Sequence, residues 1–338
     1  MKLLSLIIPL YNSAQWVEKC LDSVLNQDVS MEQMEVICIN DGSPDNSSEI
    51  VRGKSEEVRL KNGYSPIVVL DQENQGPSGA RNNGMRHATG KYLMFVDPDD
   101  YVEPHTIGGL IAQMEREHLD MLRFNFQMVN ERYEIIDKPL AEKLFDYTPE
   151  QMSGAEFIGK RLDGACNIWR YIYRTEIIIK NEIWCYTGDY FDDTPWLPLV
   201  LLKAEKMNIS NTIVYDYLER SDSLVKSVSE KSVQKKIDGY FFLLKTLKEQ
   251  YEKINCSEQW RQGVMGWYRL MMGYSVLNLL SLIAIHRFKE RHQLIRRVQT
   301  LELFPVDYHR MIPKMQRKAK LANIHPWVLV DLMHIRNK

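Results

Sequence analysis

Short apolar runs alternate with amphipathic stretches through the N-terminal third of the chain. The apolar runs are rich in β-branched and aromatic residues and predict four strands, at residues 3–8, 36–39, 67–70 and 92–96. The stretches between them have apolar residues at helical spacing and predict three helices, at residues 14–25, 45–56 and 77–88. Strands and helices in alternation are typical of an α/β fold, in which helices cover both faces of a mainly parallel sheet.

Polar residues follow each of the four predicted strands. They are Tyr11 and Asn12, then Asn40, Asp41 and Gly42, then residues 71–76, and finally Asp97, Asp99 and Asp100. The carboxyl ends of parallel strands lie along one edge of the sheet, and ligands of such sheets bind there. We therefore expect these residues to contribute to one binding site.

The pattern changes after the fourth strand. Aromatic-rich runs predict antiparallel or edge strands at residues 121–126, 168–173 and 213–217. Helical spacing follows at residues 237–251 and 259–285. Residues 220–236 are polar and rich in Ser and Lys, which predicts a mobile connection between the two regions.

These changes predict an α/β domain at residues 1–220 and a mainly helical C-terminal extension at residues 221–338. The extension ends in a basic tail, because residues 286–338 contain 12 Lys and Arg against 4 Asp and Glu. The chain's net charge of −2 therefore divides into +8 for the tail and −10 for residues 1–285. Two interpretations of the tail stay open, namely solvated helix faces and peripheral contact with an anionic membrane.

Length and composition are those of a globular protein, with 338 residues of which 44% are hydrophobic and 26% charged. The five cysteines are scattered and form no Cys-x-x-Cys pair, which disfavours a disulfide framework or zinc site and favours a reducing compartment. The apolar N-terminus stops at Pro9 without a small-residue cleavage site, so we predict a strand rather than a signal peptide. The longest apolar stretch, residues 270–285, is interrupted by polar residues and falls short of the ~20 residues that a membrane span needs.

The carboxylates after the fourth strand are the strongest indication of chemistry. Asp97 and Asp99 are two residues apart, so in an extended stretch both side chains point to one face. Hard oxygen ligands of this kind suit Mg²⁺ or Mn²⁺, which bind through one or two carboxylates while substrate phosphates complete the shell. The alternative interpretation is a turn that caps a helix starting near Pro104.

The turn after the first strand excludes two common kinds of nucleotide site, and the next two strand ends offer other ligands. The first turn, PLYNSAQ, has neither the Gly-x-Gly-x-x-Gly of a dinucleotide site nor the Gly-Lys-Ser/Thr of a P-loop. It offers the aromatic face of Tyr11, on which a nucleobase can stack. Asp41 can accept a hydrogen bond from a base, or else Asp41 or Ser43 caps the next helix. Arg81, after a glycine-rich loop, can reach an anion near a helix start.

Taken together, four motifs resemble the nucleotide-sugar half of the family-2 inverting glycosyltransferases of the GT-A fold. They are SLIIPLYN, VICINDGSPDNS, NQGPSGARNNG and YLMFVDPDD, in this order and each at a strand end. The resemblance is specific over residues 3–104 and implies a nucleotide-sugar half at residues 1–105. It continues more weakly in residues 167–178 and 191–223, which resemble the acceptor half of bacterial polysaccharide-assembling members and imply an acceptor half at residues 106–220.

The resemblance implies a nucleotide site at the first two strand ends. Pro9 and Tyr11 would border the uracil, and Asp41 would bond to the base. Asn12 and Gly42, their neighbours at the same strand ends, would belong to the same site.

The resemblance also assigns the acidic cluster. Arg81 and Asp97 would hold the nucleotide, and Asp99 together with Asp97 would ligate the divalent metal, Mn²⁺ or Mg²⁺. Pro98 stands where the family often has Ser or Ala, which removes a backbone donor but keeps both carboxylates. Asp100 would support its neighbours or cap the following helix. Arg220 is either a ligand of the diphosphate or an ordinary surface residue.

An inverting transfer also needs a general base opposite the leaving nucleoside diphosphate. The pair Asp192-Asp193 before Thr194-Pro195-Trp196 matches the family's Glu-Asp motif, and we predict Asp193 as the base with Asp192 as the second choice. Two adjacent carboxylates raise the pKa of one of them, which suits a base near neutrality. The alternative is a helix cap followed by a first-turn proline. The aromatic residues around the pair form either an acceptor platform or core, and they are Trp184, Tyr186, Tyr190 and Trp196.

These predictions describe an inverting, metal-dependent glycosyltransferase that moves a sugar from a nucleotide-sugar, by our choice a UDP-sugar. The acceptor would be a hydroxyl of a saccharide or lipid-linked saccharide in cell-surface polysaccharide synthesis. We expect the enzyme in the cytoplasm, with peripheral contact to the inner face of the membrane and no nucleic-acid partner. The alternative function is a non-catalytic sugar-nucleotide-binding scaffold with the same fold.

Overall fold

The computed structural model describes residues 2–137, 145–162, 164, 166–187, 191, 193–220, 229–285 and 288–336. The chain divides into two compact units. The first unit consists of Met1–Gly154, Ala165–Thr187 and Trp196–Ser223. The second unit consists of Ala155–Gly164, Gly188–Pro195 and Leu224–Lys338.

The strands of the described residues form one nine-stranded sheet in the first unit. They are β1 (Leu4–Leu10), β2 (Met34–Asp41), β3 (Ile67–Gln72), β4 (Tyr92–Phe95), β5 (Tyr101–Val102), β6 (Met121–Val129), β7 (Ile135–Ile136), β8 (Tyr171–Arg174) and β9 (Met207–Leu218). Their order is β3-β2-β1-β4-β8-β6-β9-β5, and β7 pairs with β6. The four neighbouring strands β3, β2, β1 and β4 are parallel, whereas β8 runs antiparallel to both β4 and β6.

Twelve α-helices lie in the described residues. Seven precede the C-terminal extension: α1 (Val17–Leu25), α2 (Ser47–Asn62), α3 (Gly76–His87), α4 (Ile107–Glu117), α5 (Gly154–Lys160), α6 (Thr175–Ile179) and α7 (Asp193–Leu201). Five follow: α8 (Glu230–Glu252), α9 (Glu258–Ile283), α10 (Phe288–Gln299), α11 (Pro313–Ile324) and α12 (Pro326–Arg336). The predicted α/β alternation is confirmed, and each predicted strand or helix overlaps an observed one. Two of the later strands differ from the prediction. Residues 168–170 form a 3₁₀ helix before β8, and β9 begins at Met207 and runs parallel to β6 and antiparallel to β5.

One connection was predicted wrongly. Residues 221–228 lie outside the described residues, but α8 begins at Glu230, well inside the stretch predicted to be a mobile loop. The Ser229 side chain accepts a hydrogen bond from the backbone N–H of Ser232, which caps the helix. Val233 and Ile237 are buried on the inner face of α8, so packing overrides the polar composition of this stretch.

The apolar stretch at residues 270–285 forms much of α9, and its buried side chains include Val276, Leu280 and Ile283. The stretch is therefore part of a core helix. Across the part of the chain that is described, none of the helices combines the length and hydrophobicity required of a membrane span.

Close packing of α3 on the sheet depends on a glycine. All seven residues of β1 are buried. A Cβ atom added to Gly84 would lie 2.5 Å from Cγ2 of Ile7 and 2.9 Å from Cδ1 of Ile39. These distances are shorter than van der Waals contact, so the helix sits against β1 and β2 only because position 84 has no side chain.

We expect Gly84→Ala to lower the free energy of unfolding by about 1–3 kcal/mol, because the added methyl overpacks the interface between helix and sheet. Gly53→Ala is the matched control, since Gly53 is exposed within α2 and an added Cβ meets no heavy atom within 4 Å. The control should gain up to about 1 kcal/mol from better helix propensity. Urea unfolding of both variants measures the difference, and equal effects would contradict the packing argument.

Candidate active site

The ends of β1 and β2 are joined by hydrogen bonds between their loops. Pro9 is buried within β1, and Tyr11, just beyond the strand, keeps 49% of its surface exposed. Asn12 has a positive φ of 50°, and its backbone N–H donates to Ser43 Oγ at 2.9 Å. Gly42 also has a positive φ, of 63°. The turn thus holds Tyr11 with an accessible ring beside the polar end of β2.

Asp41 is buried, with 2% of its surface exposed. Its Oδ1 accepts hydrogen bonds from Gln72 Nε2 at 2.7 Å and from the backbone N–H of Gln75 at 2.8 Å. The carboxylate therefore connects the end of β2 to the loop between β3 and α3. A base that bonds to Asp41 would meet a carboxylate already held in place by two donors.

The alternative in which Asp41 or Ser43 caps α2 is not observed, because Asp45 bonds to the first residue of that helix. Asp45 Oδ1 accepts from the backbone N–H of Ser47 at 3.1 Å and from the hydroxyls of Ser43 and Ser47 at 2.6 Å each. Burial raises the pKa of Asp45, but these bonds and one from the Ala14 backbone outweigh burial and lower it to about 2.

Arg81 and Asp97 form an ion pair between α3 and the end of β4. Arg81 Nη2 donates to Asp97 Oδ1 at 2.8 Å. Only 8% of the Arg81 side chain is exposed, against 25% of the Asp97 side chain. The backbone N–H of Asp97 donates to the Tyr215 hydroxyl at 3.0 Å, which fixes this turn against β9. The two sequence-predicted nucleotide ligands are thus adjacent.

Asp99 forms a second ion pair, with Arg220, at 3.1 Å between Asp99 Oδ2 and Arg220 Nε. Arg220 follows β9, and its guanidinium carbon lies 6.0 Å from the ring centroid of Trp16. Both partners of the pair are mostly buried, with 24% of the Asp99 and 21% of the Arg220 side chain exposed. Arg220 is therefore not an ordinary surface residue, and it lies beside the carboxylate predicted to bind metal.

Asp100 does not cap a helix, which corrects one of its two predicted roles. α4 begins at Ile107, and Asp100 Oδ1 instead accepts from the backbone N–H of Leu218 in β9 at 2.8 Å. Burial raises the pKa of Asp100 well above its usual value, and the charges of Asp99 and Asp97 raise it further. Burial thus disfavours the charged form of Asp100, and its hydrogen bond to Leu218 ties the turn to β9.

The donors at the end of β4 fit a divalent cation that is shared with a substrate. Asp97 and Asp99 provide hard carboxylate oxygens on partly exposed side chains. The described residues contain no group of three or more His, Cys, Asp or Glu side chains that could hold a metal. Proteins usually bind Mg²⁺ through one or two carboxylates plus substrate phosphates rather than by a cage of protein ligands, so two carboxylates are sufficient.

The predicted base, Asp193, is the first residue of α7 and is partly buried. A carboxylate at this place is stabilised by the positive end of the helix. The carbonyl of Pro195 accepts from Gln250 Nε2 at 2.8 Å, and Gln250 Oε1 accepts from the Tyr268 hydroxyl at 3.1 Å. α8 and α9 therefore hold the start of α7. Asp193 belongs to the second unit, whereas the strand-end residues belong to the first; Asp192 and Tyr190 lie outside the described residues.

The suggested aromatic platform does not include Trp196. This side chain is fully buried, and its ring centroid lies 5.7 Å from that of Phe95 and 5.5 Å from that of Tyr173. Its indole N–H donates to the carbonyl of Ile183 at 3.2 Å. Trp196 is therefore a core residue. Trp184 is partly exposed, with the guanidinium of Arg86 4.7 Å from its ring centroid.

The sequence model of the family described as "Glycosyl transferase family 2" matches residues 5–178, which is more than half of the chain. The chain belongs to glycosyltransferase family 2. It is 30% identical over 226 residues to the uncharacterized glycosyltransferase EpsJ of Bacillus subtilis, covering 66% of this chain and 63% of EpsJ. It is 38% identical over 229 residues to a poly(ribitol-phosphate) beta-glucosyltransferase of Bacillus spizizenii, covering 67% of this chain but 34% of that enzyme.

Solved structures agree with the fold of this glycosyltransferase. The crystal structure of residues 1–349 of S. aureus TarS in complex with UDP-GlcNAc matches with a TM-score of 0.75 at 22% identity, over 100% of this chain and 93% of that one. A mannosyltransferase from Pyrobaculum calidifontis in complex with GDP-Man and Mn²⁺ matches with a TM-score of 0.56 at 13% identity, covering 95% of this chain and 87% of that one. The predicted GT-A fold is therefore confirmed.

Proposed function

We propose that this glycosyltransferase moves a sugar from a UDP-sugar to a hydroxyl of a saccharide or lipid-linked saccharide, with inversion and with Mn²⁺ or Mg²⁺. The product would be part of a cell-surface polysaccharide, built from the cytoplasmic side. The observation that carries the proposal is the end of β4, where Asp97 and Asp99 each pair with a guanidinium, from Arg81 and Arg220. The two carboxylates complement the charge of a divalent cation, and the two guanidiniums complement the charge of a diphosphate.

Donor binding would start at the first two strand ends. Tyr11 offers a ring for stacking, and Asp41 offers a carboxylate fixed by Gln72 and the Gln75 backbone. Pro9, Asn12 and Gly42 shape the turns around them. The choice of a UDP-sugar is supported by the structural similarity to TarS, whose crystal structure contains UDP-GlcNAc.

The diphosphate would lie at the end of β4. Asp99 and Asp97 would hold the divalent cation, which as a Lewis acid stabilises the charge that develops on the leaving diphosphate. Arg81 is buried in α3 and already oriented by Asp97, so it provides a fixed positive charge for phosphate oxygens. Arg220 would add a second one.

Asp193 would act on the acceptor. It would take the proton of the attacking hydroxyl as the new glycosidic bond forms at the anomeric carbon and the bond to the diphosphate breaks. General base catalysis of this kind typically contributes about 10²–10⁴ in rate. Attack from the face opposite the leaving group inverts the anomeric configuration.

A panel of UDP-, GDP- and dTDP-sugars tests this proposal. Each is incubated with the enzyme, a divalent cation and candidate saccharide acceptors, and release of the nucleoside diphosphate is measured. We expect one UDP-sugar to give metal-dependent release that increases with acceptor. Binding without release under all conditions would favour the alternative, a non-catalytic sugar-nucleotide-binding scaffold, and absence of binding would contradict both.

We expect Tyr11→Ala to weaken UDP binding by roughly tenfold, because stacking of a base on an aromatic ring is worth about 1–3 kcal/mol. Isothermal titration with UDP measures the dissociation constant. Tyr64→Ala is the matched control, since Tyr64 is an exposed tyrosine in the loop before β3, and its hydroxyl bonds to Lys2 near the start of β1. Equal loss of affinity in both variants would contradict stacking on Tyr11.

A further inference from the structure

The second unit carries an exposed surface in which basic and aliphatic side chains are mixed. It consists of Lys314, Arg317, Lys320 and Ile324 of α11 with Val328 and Leu332 of α12, and we call it the α11–α12 surface. The aliphatic members are unusually accessible, because 77% of Ile324, 42% of Val328 and 49% of Leu332 is exposed. Ile324 is the most exposed large hydrophobic residue in the described part of the chain.

Helical spacing explains why these side chains share one face of α11. Ala319 and Ala322 are buried and define the inner face of the helix. Arg317, Lys320 and Ile324 are separated by three and four residues, so they align along the opposite side. α11 therefore packs through small side chains and exposes its long basic and aliphatic side chains to solvent.

The positive charge of α11 is not balanced within the helix. Its twelve residues, PKMQRKAKLANI, contain four basic residues and no acidic one. Burial lowers the pKa of Lys318, and the charge of Lys314 one turn away lowers it further. Among the described residues, neither these two lysines nor Arg317 and Lys320 form an ion pair with a carboxylate. The acidic residues nearby pair elsewhere, for example Asp331 with Arg291.

α12, which follows α11 directly, adds two exposed aliphatic side chains. Val328 and Leu332 are one helical turn apart and both exposed, whereas Leu329 and Val330 are buried and attach the helix to its own unit. Exposed aliphatic side chains next to uncompensated basic ones are typical of segments that lie in the headgroup region of a membrane. The aliphatic part enters the acyl boundary, and the basic part pairs with anionic lipid.

We propose that the α11–α12 surface binds the anionic surface of a lipid bilayer. Lys314, Arg317 and Lys320 pair with lipid phosphates, and Ile324, Val328 and Leu332 enter the interface. Charge complementarity selects this occupant, because a second copy docked face to face would bring the same uncompensated positive charges together. The surface and its partner are independent of sugar transfer, so the proposal stands or falls separately from the proposed function.

Co-sedimentation of the full chain with vesicles tests the proposal without any nucleotide-sugar. We compare vesicles of pure phosphatidylcholine with vesicles that also contain phosphatidylglycerol. The wild type should bind to the anionic vesicles but not to the neutral ones. The variant Lys314→Gln/Arg317→Gln/Lys320→Gln should bind about a hundredfold more weakly, since each basic residue near an anionic surface contributes about fivefold. Ile324→Ser/Val328→Ser/Leu332→Ser should also lose most of its binding.

The matched control removes the same net charge from another helix of the same unit. It is Lys231→Gln/Lys235→Gln/Lys245→Gln, which changes three exposed lysines of α8 and should keep wild-type binding. An equal loss in this control, or equal binding of the wild type to both kinds of vesicle, overturns the proposal. Light scattering adds a second criterion. A wild-type oligomer that the serine variant converts to a monomer would assign the surface to contact between copies and would likewise overturn it.

Discussion

Asp193→Asn should lower the turnover number by about 10²–10⁴ while the dissociation constant of the donor stays unchanged, because the amide cannot accept the acceptor's proton. The substitution keeps the size of the side chain and the first-turn position in α7. The lost interaction of a carboxylate with the helix dipole is worth about 0.3–1 kcal/mol, and the amide can still form hydrogen bonds, so the protein should stay folded. Single-turnover transfer and UDP titration, measured side by side, separate the two effects.

Asp192→Asn is the internal comparison for this prediction. If Asp193 is the base, the Asp192 variant keeps most of the turnover. A larger loss in the Asp192 variant would reassign the base to that neighbour, and wild-type turnover in both variants would exclude this pair as the source of the base. The anomeric configuration of the product, determined by NMR on early reaction mixtures, checks inversion independently of either substitution.

Asp99→Asn should abolish the dependence of UDP binding on Mn²⁺ and lower transfer by at least about a hundredfold. An amide oxygen is a weaker ligand than a carboxylate for a hard cation, and Lewis-acid stabilisation of the leaving group is worth several kcal/mol. The measurement is a titration of UDP with and without Mn²⁺, followed by the metal dependence of transfer. The substitution also removes the ion pair with Arg220.

Asp22→Asn is the matched control for the Asp99 variant. Asp22 is a more exposed aspartate whose carboxylate pairs with Lys54 between α1 and α2, so the same chemical change is made outside the strand-end cluster. We expect this control to keep both metal-dependent binding and transfer. Retention of the Mn²⁺ effect by Asp99→Asn would show that Asp99 is not a ligand of the metal.

The sequence predicted the strands and helices of residues 1–105 well because the signals there are local. β1, β2 and β4 are short, buried and parallel, so each is a nearly continuous apolar run, and the polar residue at its end marks where the run stops. The alternation of these strands with helices then indicates that their polar ends lie together along one edge of the sheet. The adjacency of Arg81 and Asp97 follows from this topology, since α3 leads directly into β4.

The sequence left alternatives open where the tertiary structure chooses between chemically similar residues. By composition Asp41, Ser43 and Asp45 can all bond to the start of α2, and only the folded turn shows that Asp45 does so. A helix cap stayed one of two roles for Asp100 because its partner, the backbone of Leu218, is far away in sequence. Trp196 was a candidate platform residue because composition does not distinguish an exposed indole from a buried one.

The ion pair between Asp99 and Arg220 has a thermodynamic consequence for the proposed reaction. In the free protein each charge already has a counterion, so a bare metal ion that approaches Asp99 must displace a guanidinium. A metal that arrives with a diphosphate brings an anion for Arg220 as well, and the exchange then leaves every charge neutralised. Linkage makes this reciprocal: the cation and the nucleotide should each increase the affinity for the other. The apoprotein would thus discriminate against free metal and accept it as a complex with its substrate.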